Sequence, residues 1–207
     1  NDWNVAVGYE AMYANSNGNS NTAVGGNALR ENTSGSYNTA FGYYSLKNNT
    51  TGRYNVAVGE RSLEDNTEGD YNTAIGVSAL RTQTSGDYNV AVGYLSLDEN
   101  TANYITAVGA GSLRYNESGE RNTALGYRSL FANTAGDNNV AVGHDALYGT
   151  TGSHNVGIGT ETSTSSNSAS NQIIIGYQAT GQADNSVVLG NSNVTAVYMA
   201  EDSGATI

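Results

Sequence analysis

Apolar and polar positions follow one another along this chain in a pattern that returns about every 17 residues. Its most regular part is the run Asn21-Thr22-Ala23-Val24-Gly25, repeated with light variation about a dozen times. Gly8, Gly25, Gly42, Gly59, Gly76, Gly93, Gly109, Gly126, Gly143, Gly159, Gly176 and Gly190 close successive copies. The intervals are 17 residues five times, then 16, 17, 17, 16, 17 and 14. Self-similarity at a fixed period is the signature of a solenoid, in which one repeat cannot bury its own apolar face and stacked neighbours do it together.

Counting each repeat from its Asn as position 0, position +1 alternates between Val and Thr, and position +3 is a larger apolar residue such as Val24, Phe41, Val58 or Ile75. Positions +1 and +3 share one face of a strand and +2 takes the other. β-Branching at +1 and +3 supports a strand. The larger residue at +3 is expected in the core. Ala at +2, from Ala6 to Ala141 with Gly157 as the first departure, is expected where another layer approaches closely. Gly at +4 fits a bend or positive φ.

A second apolar position follows at +8, as Met12, Leu29, Leu46, Leu63, Leu80, Leu97, Leu113, Leu130 and Leu147. About five residues around it are too few for a stable helix, so a strand–bend–strand–turn coil is expected. Turns such as Asn32-Thr33-Ser34-Gly35 then close the coil. Stacking would align a Val/Ile ladder, a Leu ladder, an Asn ladder through Asn21, Asn38, Asn55, Asn72 and Asn89, and an interrupted aromatic ladder. The fold expected is all-β: a parallel β-solenoid of about twelve coils. One coil buries too little by itself, so the solenoid should also gain from partner chains.

The pattern divides the chain into 17-residue coils over 1–159, a Ser/Thr-rich variant coil and a 14-residue coil over 160–190, and an exit segment over 191–207. A trimmed turn after Asn100-Thr101 accounts for one short interval. Because Trp3-Asn4-Val5-Ala6-Val7-Gly8 is already in register, the reading expects a fragment or processed product of a longer chain.

Composition narrows the partners. A formal net charge of −11, with 8 Lys and Arg scattered singly, argues against nucleic acid and anionic membranes. No apolar run approaches the ~20 residues a membrane span requires. With no Cys there is no disulfide or thiolate metal site.

The segment from Ile173-Ile174-Ile175-Gly176-Tyr177 to Val187-Val188-Leu189-Gly190 resembles the 14-residue head repeats of trimeric autotransporter adhesins. The 17-residue form, N-T-A-V-G-Y-x-A/S-L-x-x-N-T-x-G, is similar to repeats in phage and large-virus tail fibres or spikes. The resemblance implies a left-handed β-roll, three chains to a rod, and an extracellular setting on a virion or bacterial surface. It also implies that a segment like 187–207 leads to a C-terminal self-cleaving chaperone domain.

Candidate chemistry is sparse. His144 and His154 have no partners at metal-ligand spacing. The acids Glu64, Asp65, Glu68, Asp70, Asp98 and Glu99 lack a calcium-loop pattern and read as a solvated face. Sequons such as Asn32-Thr33-Ser34 and Asn116-Glu117-Ser118 fall out of the turn consensus. Threonines at +1 are too often replaced by Val for an ice-binding face. Tyr37, Tyr54, Tyr71, Tyr88 and Tyr104 are the candidate surface-recognition residues, because aromatics on a polar rod can stack against sugars; stacking on one another is the competing reading. The expectation is therefore a non-enzymatic protein without cofactor or metal: the shaft of a homotrimeric fibre supporting host attachment. The alternative is the head of a trimeric adhesin binding a glycan or matrix protein.

Overall fold

The computed structural model describes residues 3–197, so the exit segment is seen only through residue 197. The fold is an all-β parallel solenoid of about eleven turns with no helix among the described residues. Twelve short strands, β1 (Val5–Val7), β2 (Thr22–Val24), β3 (Thr39–Phe41), β4 (Val56–Val58), β5 (Thr73–Ile75), β6 (Val90–Val92), β7 (Thr106–Val108), β8 (Thr123–Leu125), β9 (Val140–Val142), β10 (Val156–Ile158), β11 (Gln172–Ile175) and β12 (Ser186–Leu189), pair in sequence order. Each coil is numbered here by its strand. Equivalent positions lie in register: Ala57 pairs with Ala74, and Val58 with Ile75. The trimmed turn of coil 6 leaves this intact, since Val92 still pairs with Val108.

Three sequence expectations are corrected. First, the sheet faces the other way. The alanines at +2 from Ala23 to Ala141 are fully buried, whereas Val7, Phe41, Ile75, Leu125 and Ile158 at +3 are exposed. The lumen is narrow, and the leucine at +8 lies against the inner side of the strands. At Gly157 an added Cβ would stand 2.7 Å from Leu147 Cδ2 and 2.8 Å from Thr162 Oγ1. Only a methyl fits over most leucines, and here not even that. The core is a column of Leu and Ala.

Second, the leucine-bearing segment is a turn, not a strand. Its residues at +6 and +8 have positive φ, as at Arg61 (57°) and Leu63 (49°). The residue before each Asn does too, as at Tyr54 (57°). Left-handed backbone costs an L-residue about 1–2 kcal/mol. The return comes from hydrogen bonds between coils. Arg61 N–H donates to Tyr43 (2.9 Å), Leu63 N–H to Ala79 (3.0 Å), and Tyr71 N–H to Arg53 (3.0 Å). Every wall of the coil is thus tied to its neighbours even where no sheet exists. Among the described residues one parallel bridge outside the sheet joins Ser163 and Thr180. The glycine at +4 is required twice over. Gly59 has φ 133°, and a Cβ on it would stand 2.5 Å from the carbonyl oxygen of Gly76 in the next coil.

Third, the predicted Asn ladder works mainly through the backbone. Asn38 Oδ1 accepts the backbone N–H of Asn55 (3.0 Å), while its Nδ2 donates to the Gly52 carbonyl (2.8 Å). A true amide ladder runs at +11, inside the turn. Asn32 donates to Asn15 (2.8 Å), Asn49 to Asn32 (2.9 Å) and Asn66 to Asn49 (2.8 Å). Beyond Gln83 it resumes as Asn100, Asn116 and Asn133.

Candidate interaction surfaces

Because +2 points inward, +1 and +3 of every strand form one outward face running the length of the sheet. Phe41, Ile75, Leu125, Ile158, Ile173, Ile175, Val187 and Leu189 are exposed on it. Eleven strand spacings of about 4.8 Å and a width of three residues, the length of ten of the strands, give about 50 by 10 Å, or roughly 500 Å², with Thr at +1 in five strands. The largest apolar patch of a typical soluble monomer is about 300–600 Å².

The five candidate tyrosines border this face and are brought together by the fold. Tyr37, Tyr54, Tyr71, Tyr88 and Tyr104 form one stack, with centroids 4.8, 4.9, 5.0 and 5.5 Å apart and planes within 7° of parallel. Each ring is 44–56% exposed. Within the stack the ring faces cover one another, so edges and hydroxyls meet solvent.

On another wall, position +9 carries a charged row. Asp98 lies between Arg81 (3.0 Å) and Arg114 (3.7 Å), and its side chain is 1% exposed. Burial raises its carboxyl above the ordinary range, against the pull of the two guanidinium groups. Asp70, read as solvated from the sequence, also has structural work. Asp70 Oδ1 accepts the N–H of Arg53 (2.6 Å) and Asp87 Oδ1 that of Asp70 (2.7 Å), making a third ladder at +15. Asn32 and Asn116, the sequon residues, are fully buried in the amide ladder and closed to glycosylation.

Where coil 9 meets coil 10 the wall steps inward. Leu147 is the last leucine at +8; Ser163 stands in its place and bridges to Thr180. The step leaves an open recess of about 530 Å³ lined by Arg128, Asp145, Tyr148 and Glu161 among others. Arg128 sits 4.4 Å from the Tyr148 ring centre and 3.5 Å from Asp145. Its interaction with the Tyr148 hydroxyl, aided by Asp145, raises its pKa further. The one sequence signal of this feature was the loss of Leu after Thr160 and the Ser/Thr run that follows.

His144 lies 3.4 Å from Asp145, and among the described residues no group of three His, Cys, Asp or Glu could hold a metal. No helix is long and apolar enough to cross a membrane among the described residues. The chain is thus a parallel β-solenoid repeat protein, a class that presents long surfaces built from repeated positions. In comparisons with known proteins, no family model, no curated protein and no solved structure matches it.

Proposed function

We propose that this chain is a non-enzymatic structural protein: part of the shaft of a homotrimeric extracellular fibre, of the viral tail-fibre or spike kind, that supports attachment to a host. The observation that carries the reading is the outward strand face, which has an exposed or half-buried apolar side chain at +3 in each of the twelve strands. At roughly 500 Å² it would supply over half of the ~800 Å² that each partner buries in a standard interface. Copies packed along this face would make a rod whose stability no longer rests on the thin Leu–Ala column. The number three comes from the resemblance to adhesin and tail-fibre repeats.

Sedimentation of the purified chain tests this. The expected species has three times the 21.5 kDa mass of one chain, and the double variant Ile75→Glu, Leu125→Glu on the face shifts it to monomer. A wild-type chain that stays monomeric at micromolar concentration overturns the proposal.

A further inference from the structure

We infer that the recess at the step between coils 9 and 10 is a binding site for a neutral saccharide. Its chemistry sets it apart from the rest of the rod. Tyr148 forms one wall, backed by Phe131 at 5.0 Å with planes 8° apart. The +9 slot of the next coil holds Thr164, so no ring follows Tyr148 in the stack. Such a ring end offers an apolar platform for the C–H face of a sugar.

The polar groups select for hydroxyl donors. Asp145 Oδ1 is closed to solvent behind Arg128, but the side chain is 22% exposed and its Oδ2 accepts no hydrogen bond among the described residues, so Oδ2 is the oxygen a ligand can reach. A hydroxyl hydrogen bond to a carboxylate oxygen is charge-assisted and stronger than one between neutral groups, and a sugar hydroxyl supplies it. Glu161, exposed across the recess, is a second acceptor, and Asn167 can both donate and accept. Charge excludes acidic sugars: Arg128 is neutralised by Asp145, and Glu161 leaves the wall net negative. The volume lies within the ~300–1,000 Å³ of small-molecule sites. Recess residues fall on turn positions from +6 onward, away from the strand face, so the site stays open in an assembly packed through that face.

The site adds a ligand to the fibre reading, and its test is independent of oligomeric state, which sedimentation reports separately. The whole chain is applied to a glycan array carrying neutral hexose oligomers and their sialylated and sulfated counterparts, and a neutral hit is titrated by saturation-transfer NMR. Neutral glycans are expected to bind. Tyr148→Ala, Asp145→Asn and the exposed Asn167→Ala should each weaken binding, the first by about tenfold. Tyr148→Phe should keep it, and Tyr71→Ala on the tyrosine stack should leave it unchanged, with circular dichroism establishing that each variant is folded. Silence of the neutral glycans, binding of acidic glycans alone, or binding that survives both Asp145→Asn and Asn167→Ala overturns the site. Loss with Tyr71→Ala also overturns it and moves recognition to the tyrosine stack.

Discussion

Gln83→Asn should stabilise this protein, although it shortens a fully buried side chain. At every other step of the +11 ladder between Asn15 and Asn133, the amide Nδ2 of one coil donates to the amide oxygen of the coil before it, at 2.7–2.9 Å. Gln83 breaks the series. Its Nε2 donates to the Gly86 carbonyl (2.7 Å), and Asn66 Oδ1 is left buried without a partner. Amide orientation is fixed by the glycine carbonyls, which can only accept, so Asn66 cannot turn to relieve this. Supplying a donor to a buried acceptor is worth about 1–3 kcal/mol. Against it stands one lost methylene, about 0.8 kcal/mol. The bond from Asn89 Nδ2 to Gln83 (2.7 Å) is also lost, but Asn89 already donates to the Ala102 carbonyl at 2.9 Å. The expected net gain is about 0.5–2 kcal/mol, read as a higher urea midpoint followed by circular dichroism. Asn49→Gln, which opens a second gap, should cost a comparable amount. If Gln83→Asn lowers the midpoint, or both variants leave it unmoved, the ladder carries no stability and the reasoning fails.

Two further changes probe the backbone and the buried charge. Leu63, at φ 49°, should tolerate Met for under about 1.5 kcal/mol. Ile of nearly the same volume should cost about 2–4, because β-branching is excluded from left-handed backbone; equal urea midpoints for the two would remove backbone strain as the cause. For Asp98 the folded pKa is raised, so the native state holds the proton at higher pH than the unfolded chain does. Its contribution to stability is therefore most favourable below the ordinary carboxylate range and declines as pH rises through the folded pKa. The stability difference between wild type and Asp98→Asn should move against wild type between acid and neutral pH; a difference that moves in wild type's favour would contradict the burial argument.

The spacing of glycines was enough to read the coil, its length and the stacking order, because periodicity survives any error about which side is inside. The direction of the sheet was not legible. Val and Ile at +3 follow the usual rule that larger apolar residues point inward, and nothing local says that Leu63 has already filled the lumen opposite Ala57. The left-handed residues were equally hidden, since Arg61, Leu63 and Tyr54 have side chains that elsewhere avoid positive φ. One trace was present. Positions +1 and +3 admit Val and Ile freely, whereas +8 is Leu or Met in the nine coils where it has positive φ and is β-branched only at Thr180, where φ is not positive; positive φ explains that restriction. The tyrosine stack was predictable because one slot per coil repeats at strand spacing. The recess was not, because it depends on a step between two unlike coils.

A solenoid of near-identical coils faces a register problem that its polar interior addresses. A shift of two residues between neighbouring strands would keep apolar side chains on the same face, and Thr-Ala-Val against Val-Ala-Val offers little to oppose it. The buried amides do oppose it. Asn55 meets the Asn38 oxygen through its own backbone N–H and reaches the Gly69 carbonyl with its side chain, at 3.0 and 2.7 Å. A shifted coil would strand both groups away from water, at about 1–3 kcal/mol each, and the +11 amides and +15 aspartates would add to the penalty. Burying amides in place of larger hydrophobes gives up burial energy within a coil, but it leaves one pairing for each coil. That same fixed pairing is what aligns Phe41, Ile75 and Leu125 into a straight outward face, so the polar interior also determines the surface that the proposed assembly would use.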